Sequence, residues 1–166
     1  AQAGDGQMCD AVIDRGTLLA IMQAAKKADD SLLRDYAETT VAVADIKIAV
    51  RSMKTGKNKD FMKRAMAECN TLDIDRLATA AVAGMEEIER YLADTAYAGG
   101  AEALSESASA FERWCDNRII ETIKPQKYNP FTVGPIVAYI LARLNEIKTV
   151  RIILTCKLNQ LPEEAI

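Results

Sequence analysis

Apolar residues recur along this chain at steps of three, four and seven, and almost nowhere do they alternate with polar ones. The first spacing lines up one face of a helix, whereas alternation would mark a half-buried strand. Helices are predicted over residues 10–28, with Val12, Leu18, Leu19, Met22 and Ala25 inward, and over 31–55, with Leu33, Tyr36, Val43, Ile46, Val50 and Met53. Asp29-Asp30-Ser31 supplies capping oxygens for the second helix, and Gly56 a left-handed stop. A short helix follows at 59–67. The next opens at Asp73 and runs over 74–95 with Leu77, Val82, Met85, Ile88 and Leu92 inward. Gly99-Gly100 is expected to break the chain before a helix at 103–123 carrying Leu104, Phe111, Trp114, Cys115 and Ile119. The last helix, 131–156, presents Val133, Ile136, Val137, Ile140, Leu144, Ile147 and Leu154. Asn129 reads as its cap with Pro130 at the first position, and Pro135 requires a kink or a delayed start near Gly134.

Long helices with short connections pack antiparallel as bundles. The expected architecture is therefore all-α, in two helical units joined near Ala98-Gly99-Gly100, one over residues 1–98 and one over 99–166.

Composition narrows the function. At 49% apolar and 27% charged residues the chain can build a core beneath a solvated surface, and a net charge of −3 provides no field that would gather nucleic acid or anionic lipid. No apolar run reaches the ~20 residues that cross a bilayer. The N-terminal AQAGDGQMCD lacks the regions of a signal peptide and an initiator Met, which reads as a processed or excised chain. The four cysteines show no CxxC spacing and read as reduced, buried or half-buried small residues. Histidine is missing, and with it the usual metal ligand and neutral-pH base. No cofactor is expected.

The remaining charged groups divide by position. Asp73 and Asp75 sit at a helix start, and Glu86, Glu87 and Glu89 on a charged turn, with Glu86 and Arg90 one turn apart in the favourable order. Lys47, Arg51, Lys54, Lys57, Lys59, Lys63 and Arg64 gather around a helix end. They complement unpaired carbonyls there, or form a docking patch for an acidic partner or for phosphate. Phe61 is the one aromatic nearby, so base stacking is not indicated. Arg151 lies in an apolar stripe, either snorkelling or paired to a neighbouring helix or subunit.

The last forty residues hold the most specific pattern. Glu146-Ile147-Lys148 and Arg151 lead to a polar break at Lys157-Leu158-Asn159 and a second start at Pro162-Glu163-Glu164. Asp45-Ile46-Lys47, leading through Arg51 to Gly56-Lys57-Asn58, is a weaker version of it, in which Asp45, Ile46, Lys47 and Asn58 stand 101 residues before Glu146, Ile147, Lys148 and Asn159. Only Ala37, Ile46, Lys47 and Asn58 are identical across 32–58, so the echo alone is a hint of a repeat.

These residues resemble the C subunit of the archaeal and bacterial V/A-type ATPases (ATP synthases), the counterpart of the d subunit of the vacuolar ATPase. The resemblance rests on YNPFTVGPIVAYILARLNEIKTVRIIL at 128–154, KLN at 157–159 and LPEEAI at 161–166. It also rests on DAVIDRGTLLAIMQAA at 10–25 and LLRDYAETTVAVADIKIAVRSMKTGK at 32–57. Asp45 stands where the family often has Asn, Leu144 where a polar residue is usual, and Cys156 and Gln160 replace common glycines.

The resemblance implies pseudo-repeated helical bundles of a three-domain funnel, of which this chain is a C-terminal fragment. Residues 1–98 would be an incomplete middle domain and 99–166 the C-terminal domain. It implies a non-catalytic rotor part at the cytoplasmic face, seating the central stalk on the membrane proteolipid ring during proton or sodium transport. Partner contacts are expected at Lys47, Arg51 and Lys54 on one bundle and at Arg143, Glu146 and Arg151 on the other. A fragment of this kind can self-associate through the surface its first domain would cover. The competing readings are a stand-alone helical adaptor with an apolar groove and an enzyme whose missing half holds the site.

Overall fold

The structure is a computed structural model, and it describes residues 6–160. All regular structure among them is helical: α1 Gly6–Ala28, α2 Ser31–Lys54, α3 Lys59–Ala65, α4 Ile74–Ala83, α5 Met85–Ala93, α6 Ala98–Glu106, α7 Ala108–Ile123, a 3₁₀ turn Lys124–Tyr128, and α8 Gly134–Leu158. The second start at Pro162-Glu163-Glu164 and the LPEEAI motif lie outside the described residues.

Side-chain caps set several boundaries where they were expected. Asp30 accepts from the Leu33 N–H at 3.1 Å, Asn58 from Phe61 N–H at 2.9 Å, and Asp73 from Arg76 N–H at 3.0 Å. Each occupies an otherwise unpaired first-turn donor. Gly56 has φ 64°, the left-handed stop expected after α2. α8 starts late, at Gly134, with Pro135 in its first turn; residues 129–133 form turns, not the helix start expected at Pro130.

Two expected helices are each divided. The 74–95 segment turns a corner at Gly84, whose φ of 136° admits no ordinary side chain, giving α4 and α5. The 103–123 segment breaks at Ser107, which is extended and whose Oγ accepts from Ala110 N–H at 3.0 Å, starting α7. Gly99-Gly100, by contrast, does not break the chain but lies inside α6. Trp114 of α7 sits against it: a Cβ on Gly99 would come within 2.8 Å of the indole Nε1, and one on Gly100 within 2.9 Å of the ring carbons.

The described residues divide between Ile119 and Ile120 into two compact units. The expected junction at residues 98/99 falls within the first, where α6 packs against α5. In that unit α1 lies on α2 and α3, α2 on α3, α4 and α5, and α4 on α5. Its core joins Val43, Ile46 and Val50 of α2 to Met62, Met66, Leu77, Ile88, Leu92, Tyr97, Phe111 and Cys115. Val12 and Val82, expected inward, are exposed. In the second unit the 3₁₀ turn packs against the start of α8. The apolar stripe expected of α8 is largely exposed, with Ile140, Leu144 and Ile147 each at half or more of their full accessibility.

Candidate functional site

The expected contact residues on α2 converge. Lys47, Arg51 and Lys54 recur at i, i+4 and i+7 on the last turns of the helix and line one groove. Its far wall is Met85, Leu104 and Phe111, and its volume is about 330 Å³. Lys47 Nζ crosses to Glu112 Oε2 of α7 at 2.5 Å, while Arg51 and Lys54 are solvent-exposed. The groove is thus a mostly apolar floor rimmed by cations, suited to an acidic, partly apolar protein segment.

The remaining members of the basic cluster face elsewhere. Lys57 Nζ reaches Gln7 Oε1 at 2.5 Å and lies 5.0 Å from the centroid of the Phe61 ring. Lys59 and Lys63 share Asp75 Oδ1 at 3.2 and 2.8 Å, which lowers the Asp75 pKa and raises that of Lys63. Glu87, not Glu86, pairs with Arg90.

On α8, Arg143 and Glu146 are ion-paired to each other on the exposed surface, and Arg151 is exposed as well. The echo between the two runs does not extend to their environments. Asp45 is fully buried where Glu146 is exposed. Asn58 caps the start of α3, while Asn159 ends α8 and donates Nδ2–H to Thr155 O at 2.8 Å. Gln160, in a glycine's place, does take a left-handed φ of 54°.

A second constellation, around the loop at 66–73, escaped the sequence reading. The Met66–Ala67 peptide group is held on both sides: Arg15 Nε donates to its carbonyl at 2.7 Å, and its N–H donates to Asp45 Oδ1 at 3.0 Å. Two turns earlier on α2, Glu38 Oε1 accepts from the N–H groups of Asn70 at 2.6 Å and Thr71 at 2.7 Å. Thr71 Oγ1 joins Tyr97 Oη at 2.8 Å, and the Asp73 N–H donates to Tyr91 Oη at 2.8 Å. Side chains thereby pair the backbone groups that a non-helical segment leaves open. Asp45 Oδ2 is buried with no hydrogen-bond partner among the described residues. Burial pushes the Asp45 carboxyl from 3.8 up to about 7, opposed by the Ala67 N–H and the Arg15 charge. Burial likewise raises the Cys69 thiol to about 11, which suppresses its thiolate.

Cys115 and Cys156 are buried and Cys69 half-buried as expected, but Cys9 is exposed. Among the described residues no three His, Cys, Asp or Glu side chains gather closely enough to hold a metal ion, and no helix is long and apolar enough to cross a membrane.

Comparison with protein families matches residues 1–166 to the family described as ATP synthase (C/AC39) subunit. No curated protein and no solved structure matches the chain. The match spans the sequence, so the chain belongs to the ATP synthase (C/AC39) subunit family, the V/A-type ATPase subunits it resembles.

Proposed function

We propose that, as a member of this family, the chain is a non-catalytic coupling piece that seats the central stalk of a V/A-type ATPase on its membrane proteolipid ring. The family match across residues 1–166 carries this reading. Residues 1–98 would contribute to a middle domain and 99–166 to the C-terminal domain of a three-domain helical funnel at the cytoplasmic face. Rotation would be passed between partners through side chains locked in a helical core, whose density resists twisting. The proposed contacts are the cationic rim of Lys47, Arg51 and Lys54, and Arg143, Glu146 and Arg151 of α8.

The groove favours an acidic partner surface, for which rim charges govern encounter and salt dependence. Tagged full chain mixed with purified central stalk proteins, and separately with the detergent-solubilised ring, is expected to capture at least one of them. Reversing Lys47, Arg51 and Lys54 to Glu should weaken capture about ten-fold or more at low salt, and less at high salt. Capture of neither assembly would defeat the coupling role, while capture indifferent to the triple reversal would remove the groove from it.

A further inference from the structure

α8 is exposed over most of its surface, Ile136, Tyr139, Val150 and Ile152 included, and a seven-residue apolar repeat runs along it. Val137, Ile140, Leu144, Ile147, Leu154 and Leu158 fall at alternating steps of three and four, and Arg151 takes the one remaining place in the series. A stripe sustained through three heptads is the pattern by which one helix lies along another, each apolar side chain entering a hole formed by four of the partner's. Leu144, Leu154 and Leu158 are 57%, 55% and 83% exposed, so this seam is open from Ile140 to Leu158, with Val137 half-buried.

The flanks of the seam carry one sign of charge. With Leu144 and Leu158 at a positions, Arg143 and Lys157 occupy g, Lys148 occupies e, and Arg151 is itself at a. The helix has one acidic residue, Glu146, at an outward c position and paired with Arg143. An exposed pair of this kind is worth ~0–1 kcal/mol and exchanges readily for a stronger partner. A second copy of α8 would set basic flank against basic flank in either orientation, and in parallel would oppose Arg151 to Arg151.

We propose that the seam of α8 docks a partner helix with acidic flanks: an amphipathic, heptad-patterned helix carrying Asp or Glu at its e and g positions and a carboxylate that meets Arg151. This deepens the coupling role at Arg143 and Arg151 and rests on it for the assembly that supplies the helix, while the peptide titration tests the helix chemistry by itself.

The probe is a synthetic three-heptad peptide with Leu and Ile at a and d and Glu at e and g, titrated by fluorescence anisotropy into the full chain. Matched peptides with Gln or Lys at e and g are the controls. The Glu peptide is expected to bind about ten-fold tighter than the Gln peptide, and the Lys peptide weakest. Reversing Arg143, Lys148 and Lys157 together to Glu should invert the order. Ile147→Lys should abolish binding of all three, with circular dichroism confirming that helix content is kept. Glu and Lys peptides binding within twofold of each other, or a preference that survives the charge reversal, would overturn the proposal. So would sedimentation showing the chain alone to be a dimer that Ile147→Lys dissociates, which would give the seam to a second copy.

Discussion

Asp45 spends its life out of water, and a carboxylate there holds its proton more tightly than the unfolded chain does. Its pKa rises from 3.8 to about 7, so its contribution to stability is full below the lower value and is lost as pH climbs through the upper one. That loss levels off at roughly 4 kcal/mol above neutrality. Asp45→Asn keeps an acceptor for the Ala67 N–H and carries no charge. Thermal unfolding followed by circular dichroism should show the variant's gain over the parent to be larger at pH 8 than at pH 5, by roughly 2–3 kcal/mol. An equal shift at both pH values would refute burial as the cause. The sequence showed an acid inside VAVADIKIAV, a helix face already read as core. Whether that acid reaches solvent or is enclosed depends on Ala67, 22 positions further on, and no local pattern carries such a pairing. The basic triad was legible for the opposite reason: i, i+4, i+7 spacing on one helix sets its neighbours without help from the rest of the chain.

At the scale of elements, the caps at Asp30 and Asp73 were readable, the one expected at Asn129 starts no helix, and glycines were ambiguous. Asp30, Asn58 and Asp73 act within three residues of themselves, so their side chains are enough to place a helix start. Glycine marks either a corner or a close approach, and only the packing partner tells which. Gly84 is a corner, whereas Gly99 and Gly100 make room for an indole lying between Tyr97 and Phe111, with ring centroids 6.3 and 6.2 Å away. Two effects compete in Gly100→Ala. Helix propensity favours Ala by ~1 kcal/mol, while overpacking against Trp114 costs ~1–3 kcal/mol. Net destabilisation of up to about 2 kcal/mol is expected in urea unfolding. In a Trp114→Ala background the sign should reverse, since only propensity is left. A loss of the same size in both backgrounds would rule out the indole as the cause.

For the molecule as a whole, family membership was legible because its motifs recur in order along most of the chain. The compact units divide between Ile119 and Ile120, a boundary that no glycine marks. The first unit encloses a core drawn from all of its helices except α1, whereas among the described residues of α8 only Gly134 and Cys156 are buried. In proteins most of a helix's stability comes from tertiary packing. Amide exchange should therefore be fast through residues 134–158 and slow at Val41, Ile46 and Ala49 by several orders of magnitude. Exchange in α8 should slow when a bound helix covers it. Equal protection of both regions in the chain alone would show that α8 is already covered.

The loop between α3 and α4 offers a last consequence. Pinned by Arg15 from α1 and by Asp45 and Glu38 from α2, it leads into the first residues of α4 with little slack. It acts as a tie bar: the hydrogen bonds that hold it to α1 and α2 link those helices to the start of α4, beside the direct packing of α2 on α4.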